Sequence, residues 1–207
     1  MKNPLKVLYI EAKSNLDYKL PKKEIKKLPK KIVLLYSLQY KTLAESIKTQ
    51  LKANKIYVDK FQQVLGCSKI NTKLPVLLVS TGKFHAQNLY LQAPAIYIID
   101  NLKITCIKQE EINKLKTQRK TALMKFLNAD NIGILVSSKP GQNNLKQAIN
   151  LKQKLERKNK QVYLFISNNI DINQLENFNI DSWINTACKG LAYDNPNIIN
   201  INELPKV

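Results

Sequence analysis

The feature that most restricts this chain is a set of short aliphatic runs separated by stretches of helical spacing. Ile32-Val33-Leu34-Leu35-Tyr36, Val76-Leu77-Leu78-Val79-Ser80, Ile132-Gly133-Ile134-Leu135-Val136 and Val162-Tyr163-Leu164-Phe165-Ile166 carry no alternation of apolar and polar residues. A strand that is apolar on both sides must be covered on both sides, which is the condition of a parallel sheet between helices. Leu43, Ile47 and Leu51 fall on one helical face after the first run, Ile56-Tyr57-Val58 gives a second strand, and Ala95 to Asp100 gives a fourth. A helix is expected over Glu110 to Asn128, with Ile112, Leu115, Leu123 and Leu127 turned inward, and another over Leu145 to Asn159. The order repeats, so the expected fold is α/β: two repeated parallel-sheet domains flanked by helices, with an internal duplication.

Composition sets limits. The 207 residues suit one large or two small domains, and 44% hydrophobic content supports a core. No apolar run is long enough to cross a bilayer, and the opening MKNPLKVLYIEAKSN lacks the pattern of a signal peptide, so a cytoplasmic location is expected. The net charge of +19 is spread over nearly every segment. Diffuse charge attracts any polyanion without fixing a partner, and no stacking motif, zinc finger or helix-turn-helix signature accompanies it. The lysine run from Pro21 to Lys31, bracketed by prolines, reads as a linker or short solvated helix.

The three cysteines form no CxxC and no dense framework, which fits thiols or metal ligands in a reducing compartment. Cys188 follows the apolar segment Ser182-Trp183-Ile184 through Asn185-Thr186-Ala187, at a strand end where open α/β sheets bind ligands. Cys67 follows Gly66 in an aliphatic turn. Cys106 lies in the alternation Ile104-Thr105-Cys106-Ile107 and is expected to be a buried structural thiol. A buried role is also the plain alternative for the other two. Cys67 follows the second strand of its unit and Cys188 the third, so a shared ligand requires different loops to converge.

Four ordered motifs carry a resemblance: QVLGC at Gln63 to Cys67, STGKFH at Ser80 to His85, SSKPGQ at Ser137 to Gln142 and NTAC at Asn185 to Cys188. Their order and spacing resemble archaeal diphthamide synthase over nearly the whole chain from Val7 onward. The resemblance implies repeated α/β domains, each giving one cysteine to a [4Fe-4S] cluster whose open iron binds S-adenosylmethionine. It further implies transfer of a 3-amino-3-carboxypropyl group, by a radical route, to one histidine of translation elongation factor 2. By the same resemblance Cys67 and Cys188 are expected metal ligands. Thr81, Gly82, Lys83, His85, Ser138, Lys139, Gly141 and Gln142 are expected to line the S-adenosylmethionine site. On composition alone His85 is as readily a hydrogen-bonded structural residue, and a proline-glycine turn often just redirects the chain.

The departures shape the remaining expectations. Lys189-Gly190 stands where the family usually has proline and arginine, and Lys83 where it usually has arginine; a point charge replaces a forked donor. The stretch VLYIEAKSNLD, Val7 to Asp17, resembles only the end of the family's first domain. Residues 1–29 are therefore expected to be that domain's last strand and exit linker, with Val7 to Ile10 completing a partner's sheet. A second domain is expected at 30–129 and a third at 130–207. A split enzyme is expected, with a separate N-terminal chain supplying the third cysteine and a dimer of such units as the assembly. The alternatives are a non-catalytic helper paralogue and a basic RNA- or ribosome-associated module.

Overall fold

The computed structural model describes residues 8, 10, 12–80, 84–100 and 102–205. The chain forms two compact units, Met1–Ile112 and Asn113–Val207. Among the described residues no helix is long and apolar enough to cross a membrane.

In the first unit, α1 (Lys22–Ile25), β1 (Lys31–Tyr36), α2 (Lys41–Ala53), β2 (Tyr57–Gln63), β3 (Val76–Val79), α3 (Phe84–Gln87), β4 (Ile96–Asp100) and β5 (Lys103–Cys106) follow in order. The sheet order is β2-β1-β3-β4-β5, parallel except for the antiparallel pair of β4 with β5. The aliphatic runs behave as their composition demands: Ile32 to Leu35 and Val76 to Leu78 are wholly buried. Leu43, Ile47 and Leu51 of α2 pack on Ile32, Leu34 and Leu77.

The lysine run is more than a linker. Lys22, Lys23, Lys26 and Lys27 face solvent, while Leu20, Ile25 and Leu28 enter the core of the first unit. Glu24 is buried: its Oε2 accepts the Ile104 N–H at 2.7 Å and the Lys27 ammonium at 2.6 Å. Its carboxyl is held below the usual range chiefly by the Lys27 contact, then by the Ile104 N–H. Of the strand expected at Val7 to Ile10, only Leu8 and Ile10 are described; neither lies in a regular element, and they are 83% and 84% exposed. The rest of that stretch lies outside the described residues.

The second unit takes most of α4 (Gln109–Asn128), then β6 (Asn131–Ser137), α5 (Leu145–Glu156), β7 (Gln161–Ser167), β8 (Ser182–Asn185), α6 (Gly190–Asp194) and β9 (Ile198–Asn200). Its sheet, β7-β6-β8-β9, is wholly parallel and reproduces the order of the first four strands of the first unit, as a duplication predicts. Ile132, Ile134 and Val136 pack with Ala148, Leu151 and Leu155 of α5 and with Ala122 and Phe126 of α4. On α4 the buried row is Ile112, Leu115, Arg119, Ala122 and Phe126; Leu123 is partly buried, and Leu127, expected inward, is half exposed. The row passes through an arginine, whose charge hid the true helical face from a count of apolar residues.

On the opposite side of the second sheet, Trp183 lies over Gly133, its partner in register, with Phe165 and Phe178 edge-on to the indole. A Cβ at Gly133 would stand 2.3 and 2.4 Å from two indole carbons, so only glycine leaves room. Gly133→Ala is expected to lower the stability of this unit by about 1–3 kcal/mol through overpacking. Thermal unfolding followed by circular dichroism checks it; an unchanged midpoint would show that the ring shifts at no cost.

Candidate functional site

Because these strands are parallel, the loops leaving β1, β2 and β3, and those leaving β6, β7 and β8, open on the carboxyl edge of their own sheet. That edge is where α/β sheets bind ligands. QVLGC, SSKPGQ and NTAC stand at these loops, and of STGKFH the described residues follow β3.

In the first unit Cys67 follows β2, is exposed, and is in no disulfide. The loop around it is fixed by its own backbone and by two amide side chains. Val64 N–H donates to Tyr36 O at 2.8 Å, and Leu65 N–H to Ser68 Oγ at 2.9 Å. Asn88 Nδ2 donates to Ser68 O at 2.6 Å, Gln92 Nε2 to the same oxygen at 3.3 Å, and Ile70 N–H to Gln92 Oε1 at 2.7 Å. Sequence reasoning missed Asn88 and Gln92; the available signal was a polar pair four residues apart in an otherwise apolar stretch. Thr81, Gly82 and Lys83 lie outside the described residues. Ser80, which follows β3, places its Oγ 3.2 Å from Nδ1 of His85, which belongs to α3. Burial pushes the His85 imidazole below its ordinary range, so the neutral ring dominates at neutral pH. Beside Ser80, a cavity of about 250 Å³ at the ends of β3 and β4 is lined by Tyr18, Tyr40, Leu43, Ile99 and Asp100.

Cys106 corrects an expectation. It is exposed, with Ile104 taking the inward place on β5. β5 is an edge strand; Cys106 pairs with Tyr97 in register, and its Sγ lies 3.6 Å from Ile107 O. An alternation read from four residues cannot tell an edge strand from an inner one.

In the second unit the SSKPGQ turn leaves β6. Ser138 N–H donates to Ser167 O at the end of β7, while Lys139 N–H donates to Ser137 Oγ and Gln142 N–H to Lys139 O within the turn itself. Gly141 sits at φ 78°, the left-handed region that glycine tolerates, and Ser138, Lys139 and Gly141 are exposed. Asn144, just before α5, donates from Nδ2 to Thr186 O at 2.6 Å and so ties this turn to the NTAC loop. The Cys188 loop is more strongly held. Thr186 donates through its backbone N–H and its Oγ1 to Leu135 O at 3.1 and 2.7 Å. Asn185 Nδ2 donates to Cys188 O at 2.7 Å, while Asn185 Oδ1 accepts Ala187 N–H at 2.9 Å. Cys188 is half buried and in no disulfide. Tyr193, on α6, is pushed above its ordinary range mainly by burial, with Glu203 and Cys188 adding to the rise.

The structure thus brings SSKPGQ and NTAC together within the second unit, and Ser80 and His85 together beside the end of β3 in the first. Among the described residues no three His, Cys, Asp or Glu side chains are grouped to hold a metal ion. A wider cavity of about 700 Å³, lined by residues including Met124, Phe178, Asp181, Trp183 and Asn197, contains no motif residue. It lies at the amino ends of β8 and β9, away from the motif loops.

The His85 environment has a pH signature. An unfolded chain takes up a proton at His85 near pH 6.5, whereas the folded unit resists it. The stability tied to the neutral ring is present above that value and is lost as pH falls through it, levelling off below the lowered folded pKa. Thermal midpoints measured from about pH 7.5 down to about pH 5.5 are expected to fall more steeply for the unaltered chain than for His85→Gln. Parallel curves would contradict the burial effect.

Comparison with known proteins agrees with the fold. The family model described as "Putative diphthamide synthesis protein" matches residues 1–199. The 2-(3-amino-3-carboxypropyl)histidine synthase of Pyrococcus horikoshii is 23% identical over 183 residues, covering 83% of this chain and 54% of the relative. Subunit 1 of the Kluyveromyces lactis synthase is 26% identical over 212 residues, covering 92% of this chain and 50% of the relative. Two crystal structures of Dph2 from Pyrococcus horikoshii, one with a 4Fe-4S cluster, superpose with a TM-score of 0.71 at 22% identity, covering 87% of this chain and 58% of theirs. The chain therefore spans about half the length of the curated relatives it matches. With its family model matched along almost the whole chain, this protein belongs to the diphthamide synthesis protein family.

Proposed function

We propose that this chain forms part of a [4Fe-4S] enzyme that transfers the 3-amino-3-carboxypropyl group of S-adenosylmethionine to a histidine of translation elongation factor 2, the first step of diphthamide synthesis. One observation carries the proposal: the two motif cysteines stand on carboxyl-edge loops of two like units, solvent-accessible and outside any disulfide. Thiolates are the natural ligands of such a cluster, so the donors present fit it in kind. Two do not complete a set of three. The remaining ligand comes, in this reading, from polypeptide outside these 207 residues, with a separate chain carrying the family's first domain as the expected source.

When bound, the cluster supplies an electron and an open iron for the amino and carboxylate groups of S-adenosylmethionine. The residues of this chain bind and orient. Cys67 and Cys188 hold iron; Asn88 and Gln92 fix the first loop, and Asn185 and Thr186 the second. Lys139 offers an exposed cation on a turn tied to the Cys188 loop, suited to a carboxylate. Thr81, Gly82, Lys83, His85, Ser138, Gly141 and Gln142 are the proposed remainder of the S-adenosylmethionine site, with His85 neutral and shaping its loop.

A second reading, a non-catalytic helper that keeps the fold, draws on Lys189-Gly190 at the position where the resemblance expects proline and arginine. The discriminating experiment is anaerobic iron-sulfur reconstitution of this chain with and without a polypeptide carrying the family's first domain, followed by transfer to elongation factor 2. Cluster absorption and transfer are expected only in the mixture. Cys67→Ser and Cys188→Ser are each expected to lose the iron on desalting, while Cys106→Ala keeps it. Iron retained by both serine variants would refute the ligand assignment, and a cluster without transfer would favour the helper.

A further inference from the structure

The second unit contains a polar assembly that core packing does not require. Arg119 is only 7% exposed, in the middle of the inward face of α4. Its guanidinium reaches four acceptor atoms in the segment after Cys188: Ala192 O, Ile198 O at 2.7 Å, and both carboxylate oxygens of Glu203 at 3.0 and 2.7 Å. Glu203 Oε2 also accepts the Asn200 N–H at 2.9 Å. Asn200 Oδ1 in turn accepts Asn185 Nδ2 at 2.8 Å, and Asn200 Nδ2 donates to Lys189 O at 3.4 Å. Asn185 closes the chain on Cys188 O and Ala187 N–H. Asn185 and Asn200 are 1% and 3% exposed; the bonds of Arg119 to Ala192 O and Ile198 O and the Asn185–Asn200 bond are buried, and the others are partly so.

An ion pair that takes an arginine out of water gains little over apolar residues of similar volume, so stability alone is a weak reason for it. What an arginine fork and two amides give that leucines do not is direction: each bond fixes a backbone atom. The atoms fixed here are Cys188 O, Ala187 N, Lys189 O and Ala192 O, the backbone on both sides of the cysteine.

We propose that Asn185, Asn200 and the Arg119–Glu203 pair are positioning residues that set the backbone of the Cys188 loop before any metal arrives. That the preset loop serves iron ligation rests on the function proposed above; that the network governs the loop does not. A loop already in place binds without the ordering cost that a mobile loop would meet. None of these residues touches iron or substrate in this scheme.

The test reads the thiol itself, on the metal-free chain under reducing conditions. Iodoacetamide labelling of Cys188 is followed by peptide mass spectrometry, with Cys67 in the other unit as internal control. In Asn185→Ala, which removes three hydrogen bonds, the labelling rate of Cys188 is expected to rise by at least about fivefold, the factor implied by losing one of them, with Cys67 unchanged. Glu203→Ala acts further along the chain and is expected to shift the rate in the same direction by less. Asn200→Ala removes the bonds to Asn185 Nδ2 and Lys189 O but leaves Asn185 on Cys188 O and Ala187 N–H, and provides a milder variant, with a smaller rise at Cys188, if the Asn185→Ala form does not fold. Hydrogen exchange on the unaltered chain gives an independent readout: the Ala187 amide, bonded to Asn185 Oδ1, and the Leu191 amide, which donates to Cys188 O at 3.2 Å, are expected to be protected. An unchanged Cys188 rate, an equal rise at both cysteines, or Ala187 and Leu191 exchanging like unstructured chain would each overturn the positioning role. Since no cluster is needed, failure to load iron leaves this result standing, and the two proposals fail separately.

Discussion

Parallel pairing is the constraint from which the rest of each unit follows. Strands that run the same way need a crossover between them; most crossovers here carry helix, though the 64–75 connection from β2 to β3 does not, and the inner strands are thereby covered and must be apolar on both faces. The same geometry sends every strand end to one edge. In both units the first strand of the sheet lies between the second and third, β1 between β2 and β3 and β6 between β7 and β8. The chain thus leaves its first strand toward one side and returns on the other, which opens a crevice at the carboxyl ends. Ser80 and His85 stand by that point in the first unit, and the Ser137 turn and Thr186 stand by it in the second. Distant stretches of sequence meet because the sheet gives their loops no other direction to face.

Much of this was legible in the residues. The aliphatic runs gave β1, β3, β6 and β7 nearly to the residue; β1, β3 and β6 are buried on both faces and have no polar position to confuse them, whereas β7, expected to be covered on both sides, is an edge strand with Tyr163 and Ile166 exposed. The two motif cysteines fell on the expected strand-end loops. What escaped were features in which one residue contradicts its own chemistry. Arg119 lies on a buried helical face, and skipping it rotated the expected inward row toward Leu127. Ile25 and Leu28 were masked by neighbouring lysines, although a lysine-rich turn can bury two side chains as easily as any other. Cys106 was misplaced because edge position depends on strand order, which local pattern does not encode. The amides that hold the first loop, Asn88 and Gln92, escaped for a related reason: their partners on the Cys67 loop are backbone atoms some twenty residues away in sequence.

Carboxylates are scarce in a chain with 34 lysines and arginines against 15 acids, and several are used structurally. Glu24 receives an edge N–H of β5, Asp181 receives the N–H groups of Asn131 and Asp130 at the start of β6, and Glu203 joins Arg119 to Asn200. The hydrogen bond from Asn131, foremost, holds the Asp181 carboxyl below its usual range. Each of these acids fixes backbone as well as pairing with, or lying near, a cation. The surplus of positive charge outside them repels itself, and added salt screens that repulsion over roughly 10 Å at 0.1 M while barely reaching the buried Glu24 carboxylate.

The indole of Trp183 has a use beyond packing. It is the sole tryptophan of the chain, it belongs to the second unit, and it is enclosed by Phe165, Phe178 and the bare backbone of Gly133. Its emission therefore reports on one half of the molecule alone, blue-shifted while the aromatic enclosure is intact and red-shifted when water enters. Set beside a probe that averages over the whole backbone, this natural optical label can tell whether the duplicated halves melt as one cooperative body or as two.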